Sequence, residues 1–184
     1  LAGILLRFHD QGSSALSLQP LTQSLESGDL GSLLILLAIG IKAAFPGLHA
    51  WLKDGYAEAT PTGPVWLCAF TTKCAVCILA RLFPGAEVLI SIGAVMAVFP
   101  IFYAIIENDL RRVLCYSKIN QIGFMVVGIG IGTELAIDGA IAHAFTHVLY
   151  KGLLFMSMGA VLFRTGEIRG SHLGGLYKTM PWTT

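Results

Sequence analysis

The chain has 184 residues, of which 55% are hydrophobic and only 12% charged, and its mean hydropathy is +0.73. A soluble domain carries about 25% charged residues, so this composition excludes an ordinary soluble protein and points to a polytopic membrane protein. The net charge of +1 gives no basis for a nucleic-acid partner.

The chain opens Leu1-Ala-Gly-Ile-Leu-Leu-Arg7 without a secretory signal. Leu1 to Leu6 is expected to be the end of a helix that starts upstream, within a longer protein. Residues 10 to 29 are polar and rich in Ser and Gln, as in a loop outside the lipid. Five apolar spans of membrane-crossing length follow. Segment A covers Leu30 to Leu52, B Thr62 to Ala80, C Ala86 to Ile106, D Val113 to Ile131, and E Gly139 to Phe163. None alternates in polarity as a membrane barrel strand does, so the expected class is all-α. The expected division is a helix end and extracytoplasmic loop over 1–29, a transmembrane domain over 30–163, and a cytoplasmic loop over 164–184 leading to a further helix.

If the spans alternate, Arg7 and Arg81 lie on one side of the membrane. Lys53, Arg111, Arg112, Arg164, Arg169 and Lys178 lie on the other, and this majority marks the cytoplasmic face. The Ser-rich stretch before segment A then faces outward.

Segment A is interrupted in mid-span at Phe45-Pro46-Gly47, just after Lys42. Proline lacks a donor and clashes with the preceding turn, so the helix is expected to kink or break there. Broken helices beside a charge are a common way to build an ion site in a transporter. The alternative is a simple kink with Lys42 snorkelling to the surface. In segment B, Lys73 stands midway along the span, where a lysine costs about 2.5–3.5 kcal/mol on insertion scales. Burial disfavours a charged amine and readies it to release a proton. The plainer reading is a structural ion pair with a carboxylate on a neighbouring helix.

Segment E carries His143, His147 and Lys151 at successive spacings of four. These share one helix face and form a ladder roughly 12 Å long. Imidazole exchanges protons near neutral pH, so the ladder suits a proton relay with water in the gaps. No third ligand stands at zinc spacing, and neither a metal nor a cofactor is expected. The remaining charges have plainer readings. Lys118, a turn or so inside segment D, is expected to snorkel beside Arg111 and Arg112, while Glu134 and Asp138 belong to the D–E loop. Cys68, Cys74, Cys77 and Cys115 are expected to be packed as small hydrophobes, although Cys74 and Cys77 form a CxxC. Gly123, Gly128, Gly130 and Gly132 suit helix packing rather than a phosphate loop.

Three stretches carry a family resemblance: Gly40-Ile-Lys-Ala-Ala-Phe-Pro-Gly-Leu-His-Ala-Trp-Leu52 continuing to Pro61, Asp109-Leu-Arg-Arg-Val-Leu-Cys-Tyr-Ser117 through Gly123, and His143 through Phe155. Together with the closing Gly174 to Pro181, they resemble the antiporter-like membrane subunits of respiratory complex I, Mrp-type cation/proton antiporters and membrane-bound hydrogenases. The resemblance implies two inverted five-helix repeats, of which segments A to E are helices seven to eleven. It matches Lys42 to the lysine of the broken seventh helix and Lys73 to the eighth-helix lysine of the Mrp D-like members. His143, His147 and Lys151 match the eleventh-helix ladder. Two positions depart from the pattern: Lys53 replaces the usual proline and Lys118 a small polar residue. The histidine that many members carry near Ala69 or Thr72 is absent, which leans toward the Mrp D-like branch.

The implied function is proton or cation translocation within a multi-subunit complex, in the plasma membrane of a bacterium, with protons and Na+ or K+ as the ions. The expected partners are other membrane subunits and the bilayer. A redox enzyme activity would belong to the assembly, since no redox site is read in this chain. The competing reading is a non-transporting scaffold whose buried charges only join helices.

Overall fold

The computed structural model describes residues 1–11 and 19–181. Most of the Ser-rich stretch and the last three residues lie outside that set. Nine helices are described: α1 (Ala2–Gln11), α2 (Thr22–Glu26), α3 (Leu30–Ala43), α4 (Ala50–Ala57), α5 (Gly63–Leu82), α6 (Glu87–Ile106), α7 (Leu110–Ile131), α8 (Glu134–Thr165) and α9 (Leu176–Thr179). Among the described residues the extended pairing is a single bridge between Asp109 and Arg169. Helices α5 to α8 are long and apolar enough to cross a membrane, and they correspond to segments B to E. Segment A divides into α3 and α4.

The division of segment A follows from local chemistry. Ala44 adopts the left-handed conformation (φ 64°), and Gly47 follows at φ 82°. A left-handed alanine costs roughly 1–2 kcal/mol, and here it is held in a fully buried position. The chain folds back so that the Phe45 ring lies on Gly40, where any β-carbon would overlap the ring. Phe45 N–H donates to the Gly40 carbonyl at 2.9 Å, and the Trp51 indole donates to the Ile41 carbonyl at 2.8 Å. Carbonyls released by the break are therefore recaptured within the protein, as membrane depth requires.

The centre of the bundle is α7, where Ile119, Ile122, Val126 and Ile129 are fully buried. It packs closely on α6: a β-carbon at Gly123 would stand 2.6 Å from Ala97 N and 2.8 Å from Gly93 O. The glycines of segment D thus serve helix packing. Pro100 lies inside α6 and lacks the N–H that would pair with the Met96 carbonyl, and Asn120 from α7 donates to the next carbonyl, that of Ala97, at 2.5 Å. Helix α8, at 32 residues, is about 48 Å long at 1.5 Å per residue. It overruns a hydrocarbon core of about 30 Å. Glu134 and Asp138, expected in a loop, lie instead in its first turns, behind the Thr133 cap. An acidic first turn suits the positive end of the helix dipole, which is why the helix starts five residues before its apolar stretch.

The connections gather at two opposite ends, as alternating spans require. At one end Leu21 N–H donates to Leu82 O at 2.5 Å and Gly85 N–H to Ile129 O at 2.9 Å, and the Thr22 hydroxyl donates to Pro84 O at 2.8 Å. Asp29 caps α3 there, accepting from Gly31 and Ser32 N–H, and pairs with Arg7 at 2.8 Å. At the other end Gly170 N–H donates to Asn108 O at 2.9 Å. The tail is clasped by His172 against Glu167 at 3.0 Å. That contact, followed by the Arg169 and Ile168 N–H groups, lowers the Glu167 carboxyl to about 2.

Arg111 belongs to this second end but is not a solvated loop charge. It is 1% exposed, and its guanidinium donates to the carbonyls of Ala57, Ala59 and Thr60, each at 2.9 Å. The planar fork of arginine suits this multiple capture. The first turn of α7 is thereby tied to the end of α4 and the turn into α5.

Candidate functional site

The interior between α5, α7 and α8 holds a group of buried amines and imidazoles. Lys73 of α5 is 6% exposed and His147 of α8 is fully buried. Lys73 Nζ lies 2.6 Å from His147 Nδ1. This contact joins two helices through residues 74 apart in sequence. One turn along α8, Lys151 is 2% exposed, and its Nζ donates to Ser117 Oγ of α7 at 2.8 Å. One turn the other way, the half-buried His143 lies with its ring centroid 6.1 Å from that of His147. The face predicted from four-residue spacing is therefore the face that turns inward.

Not every ring nitrogen is satisfied. His143 Nε2, His147 Nε2 and the Thr72 hydroxyl are buried without a hydrogen-bond partner among the described residues. His143 also lines a crevice between α7 and α8 whose other walls include Gly128, Ala136 and Gly139. Such groups are where water or a proton donor would dock, because a buried polar atom without a partner costs about 1–3 kcal/mol.

The ion pairs among the described residues are peripheral: Arg7–Asp29, His9–Asp10, Lys53–Asp54, Arg112–Asp109 and His172–Glu167. None reaches the buried amines. The structural ion pair considered for Lys73 is thus replaced by an imidazole contact. The acidic residues lie in loops, in the short helices or near the ends of the long ones. Lys73, Lys118 and Lys151 are near enough for their charges to interact. Among the described residues no carboxylate pairs with them, and neighbouring like charges repel.

Lys118 corrects the expectation from sequence. It does not snorkel beside Arg111 and Arg112; it is fully buried. Its Nζ donates to Tyr56 Oη of α4 at 2.5 Å and stands 4.2 Å from the centroid of the Tyr56 ring. The reason is angular: on α7 this position points toward α4 and α5, not toward an end of the bundle. Cys68 and Cys115 are fully buried, whereas Cys74 and Cys77 are exposed on the outer face of α5. The packing role expected of the CxxC pair is therefore not made within the described residues.

Lys42 stands apart. It lies in the last turn of α3, beside the break, and is exposed. Among the described residues it has no hydrogen-bond or ion-pair partner. The structure brings together Lys73, His147, His143 and Lys151, but not Lys42.

Further polar residues that the sequence pattern left unremarked extend the group toward the exposed edge of α7 and α8. Tyr150 packs edge-on to His147, with centroids 5.1 Å apart, and its hydroxyl contacts Gln121 Oε1 at 3.4 Å. Gln121 donates to Asn120 Oδ1 at 3.0 Å. One signal was available: Ser117 and Gln121 are four apart, so they share the α7 face that meets Lys151 and Tyr150.

A family model described as "NADH:quinone oxidoreductase/Mrp antiporter, TM" matches residues 1–184. The chain belongs to this transmembrane family. Among curated members it is 34% identical over 165 residues to NADH-quinone oxidoreductase subunit N of Desulforudis audaxviator, covering 84% of this chain and 33% of that protein. It is 33% identical over 156 residues to F(420)H(2) dehydrogenase subunit L of Methanosarcina mazei, covering 79% of this chain and 23% of that protein. The chain therefore spans a third or less of the length of these relatives. Of the solved structures, the Mrp complex from Dietzia sp. DQ12-45-1b contains a chain that matches 99% of this one with a TM-score of 0.89 and 25% identity, over 36% of its own length. The archaeal membrane-bound sulfane sulfur reductase shares the fold, at TM-score 0.85 and 24% identity. The expected architecture, an all-α polytopic bundle with a broken helix in an antiporter-like fold, is the one observed.

Proposed function

We propose that this chain is part of an ion-translocating membrane subunit, and that Lys73, His147, His143 and Lys151 pass protons through its interior. The observation that carries the reading is the buried contact between Lys73 Nζ and His147 Nδ1 at 2.6 Å. An amine and an imidazole in direct contact can share one proton, and neither is locked by a carboxylate. Lys151, hydrogen-bonded to the neutral Ser117 hydroxyl, is equally free to gain or lose charge. Water bridging the ring nitrogens of His143 and His147 would complete the path.

Lys42 is the station on the other side of the break. It stands at the C-terminal end of α3, where the helix dipole favours a cation, on a face left open in the described residues. The longer relatives have further chain with which to cover such a face. By the distribution of arginine and lysine, the end that carries Arg111, Arg112 and Arg169 is cytoplasmic, and residues 30–163 are the translocating region. Family membership supports an assembly of the complex I or Mrp type, with other membrane subunits as partners and protons, with Na+ or K+, as the ions.

The test uses the full-length protein in its assembly, reconstituted in vesicles. Lys73→Met and Lys151→Met, and separately Lys42→Ala, are expected to abolish proton-coupled transport while the amount of assembled complex is unchanged. Transport at the unsubstituted rate would exclude the relay. Loss of assembly in place of transport would favour the scaffold reading.

A further inference from the structure

We propose that Lys118 is a further proton-binding station of this interior, held by Tyr56 and exchanging a proton with the Lys73–His147 pair. The inference rests on the relay reading above and extends it to a residue outside the ladder. Three observations carry it.

The first is position. Lys118 lies eight residues into α7, about 12 Å from its start at 1.5 Å per residue, and is fully buried. An amine so placed does not reach water by extending its chain. The second is the character of its partner. The Tyr56 hydroxyl donates its own proton to Leu67 O at 2.7 Å. Toward Lys118 it therefore presents an oxygen lone pair and the face of its ring, both of which accept from an amine or an ammonium. A carboxylate would fix the charge, whereas a phenol oxygen and a ring face stabilise the ammonium only modestly. The site thus holds either protonation state.

The third observation is what surrounds it. Lys118 touches Tyr56 from α4, and within electrostatic reach of it are Cys68 and Lys73 from α5, His147 from α8 and Cys115 on its own helix. The buried Cys68 is also within electrostatic reach of Lys73 and Lys151. Proton exchange there balances simply: the ammonium of Lys73 becomes an amine as the amine of Lys118 becomes an ammonium. Charge is conserved and no redox partner is needed. Because the two cations repel, occupancy of one station empties the other, and Lys118 sets the pH at which the pair fills. Tyr56 is a positioning residue, since it aims the amine without carrying the proton onward.

Lys118→Met and Lys118→Arg, made in the full-length protein within its assembly, test the proposal in vesicles over a range of pH. Arginine keeps the charge and the reach to Tyr56 but holds its proton at every working pH. Both variants are expected to slow transport roughly hundred-fold or more and to displace its pH profile, with assembly retained. Tyr56→Phe should displace the profile in the same manner. If arginine restores both rate and profile while methionine only lowers the amount of complex, Lys118 is a structural clamp and the proposal falls. If the arginine variant does not assemble, an unchanged pH profile in the methionine variant overturns it equally. Unchanged Lys118 variants beside inactive Lys73→Met would sink this inference alone. An active Lys73→Met would remove the relay beneath it.

Discussion

The interior between α5, α7 and α8 and the outer face formed by α1 and α3 are built from the same materials to opposite effect. Both hold glycine crossings, since a β-carbon on Gly3 would meet Gly31 O at 2.6 Å and one on Gly128 of α7 would meet Ala136 O of α8 at 3.1 Å. Both hold buried cations. At the outer face Arg7, 6% exposed, is matched to the Asp29 carboxylate and the Ser32 hydroxyl. In the interior Lys73, Lys118 and Lys151 face imidazole, phenol and hydroxyl groups. A carboxylate beside a cation fixes its charge, and a neutral acceptor leaves the charge free to change. The difference separates a structural cation from one available for proton exchange.

Substitutions that break this contrast should fall in a clear order. The largest effect on stability is expected from Arg111→Ala, which strips donors from the carbonyls of Ala57, Ala59 and Thr60 at the end of α4. Leaving these buried acceptors unpaired, at about 1–3 kcal/mol each, should appear as a markedly lower inactivation temperature in detergent. Arg111→Lys should recover only part of it, because a single ammonium does not span three acceptors.

Next comes Gly123→Val, which forces atoms into the α6–α7 crossing. Overpacking costs about 1–3 kcal/mol and should lower the same temperature less. If the valine variant matches the parent, α6 and α7 slide apart more readily than the contact geometry allows.

The smallest effect concerns Asp29. Its carboxyl is held below the usual value, first by the Ser32 hydroxyl, then by the backbone N–H groups of Gly31 and Ser32 and the charge of Arg7. A lowered carboxyl stabilises the fold above its unfolded value, about pH 3.9. The contribution disappears as the pH falls further, toward and through the folded value. Asp29→Ala should therefore cost about 1 kcal/mol of capping at neutral pH. Parent and variant inactivation temperatures should converge as the pH is lowered below about 4. A gap that persists in acid would mean that the carboxylate is not the stabilising form.

Much of the fold was legible in the chain itself. Hydropathy gave spans B to E close to the observed helices, because a segment that crosses hydrocarbon must be apolar and of sufficient length. Phe45-Pro46-Gly47 announced the break, since proline and glycine act through local backbone chemistry alone. The inward face of α8 followed from four-residue spacing. The start of α8 was misplaced because Glu134 and Asp138 are polar, and hydropathy does not distinguish a loop from a helix end beyond the lipid.

Within a helix, then, the sequence determined which side chains share a face. What that face met was decided only by tertiary packing. Lys118 turned out to be clasped by Tyr56, Lys42 lay open beside the break, Arg111 was buried as a cap, and Cys74 and Cys77 pointed outward. The reason is physical. Lipid and protein are nearly equal as surroundings for an apolar stripe, so hydropathy does not distinguish them. The contacts that assign each polar residue a partner come from helices far apart along the chain.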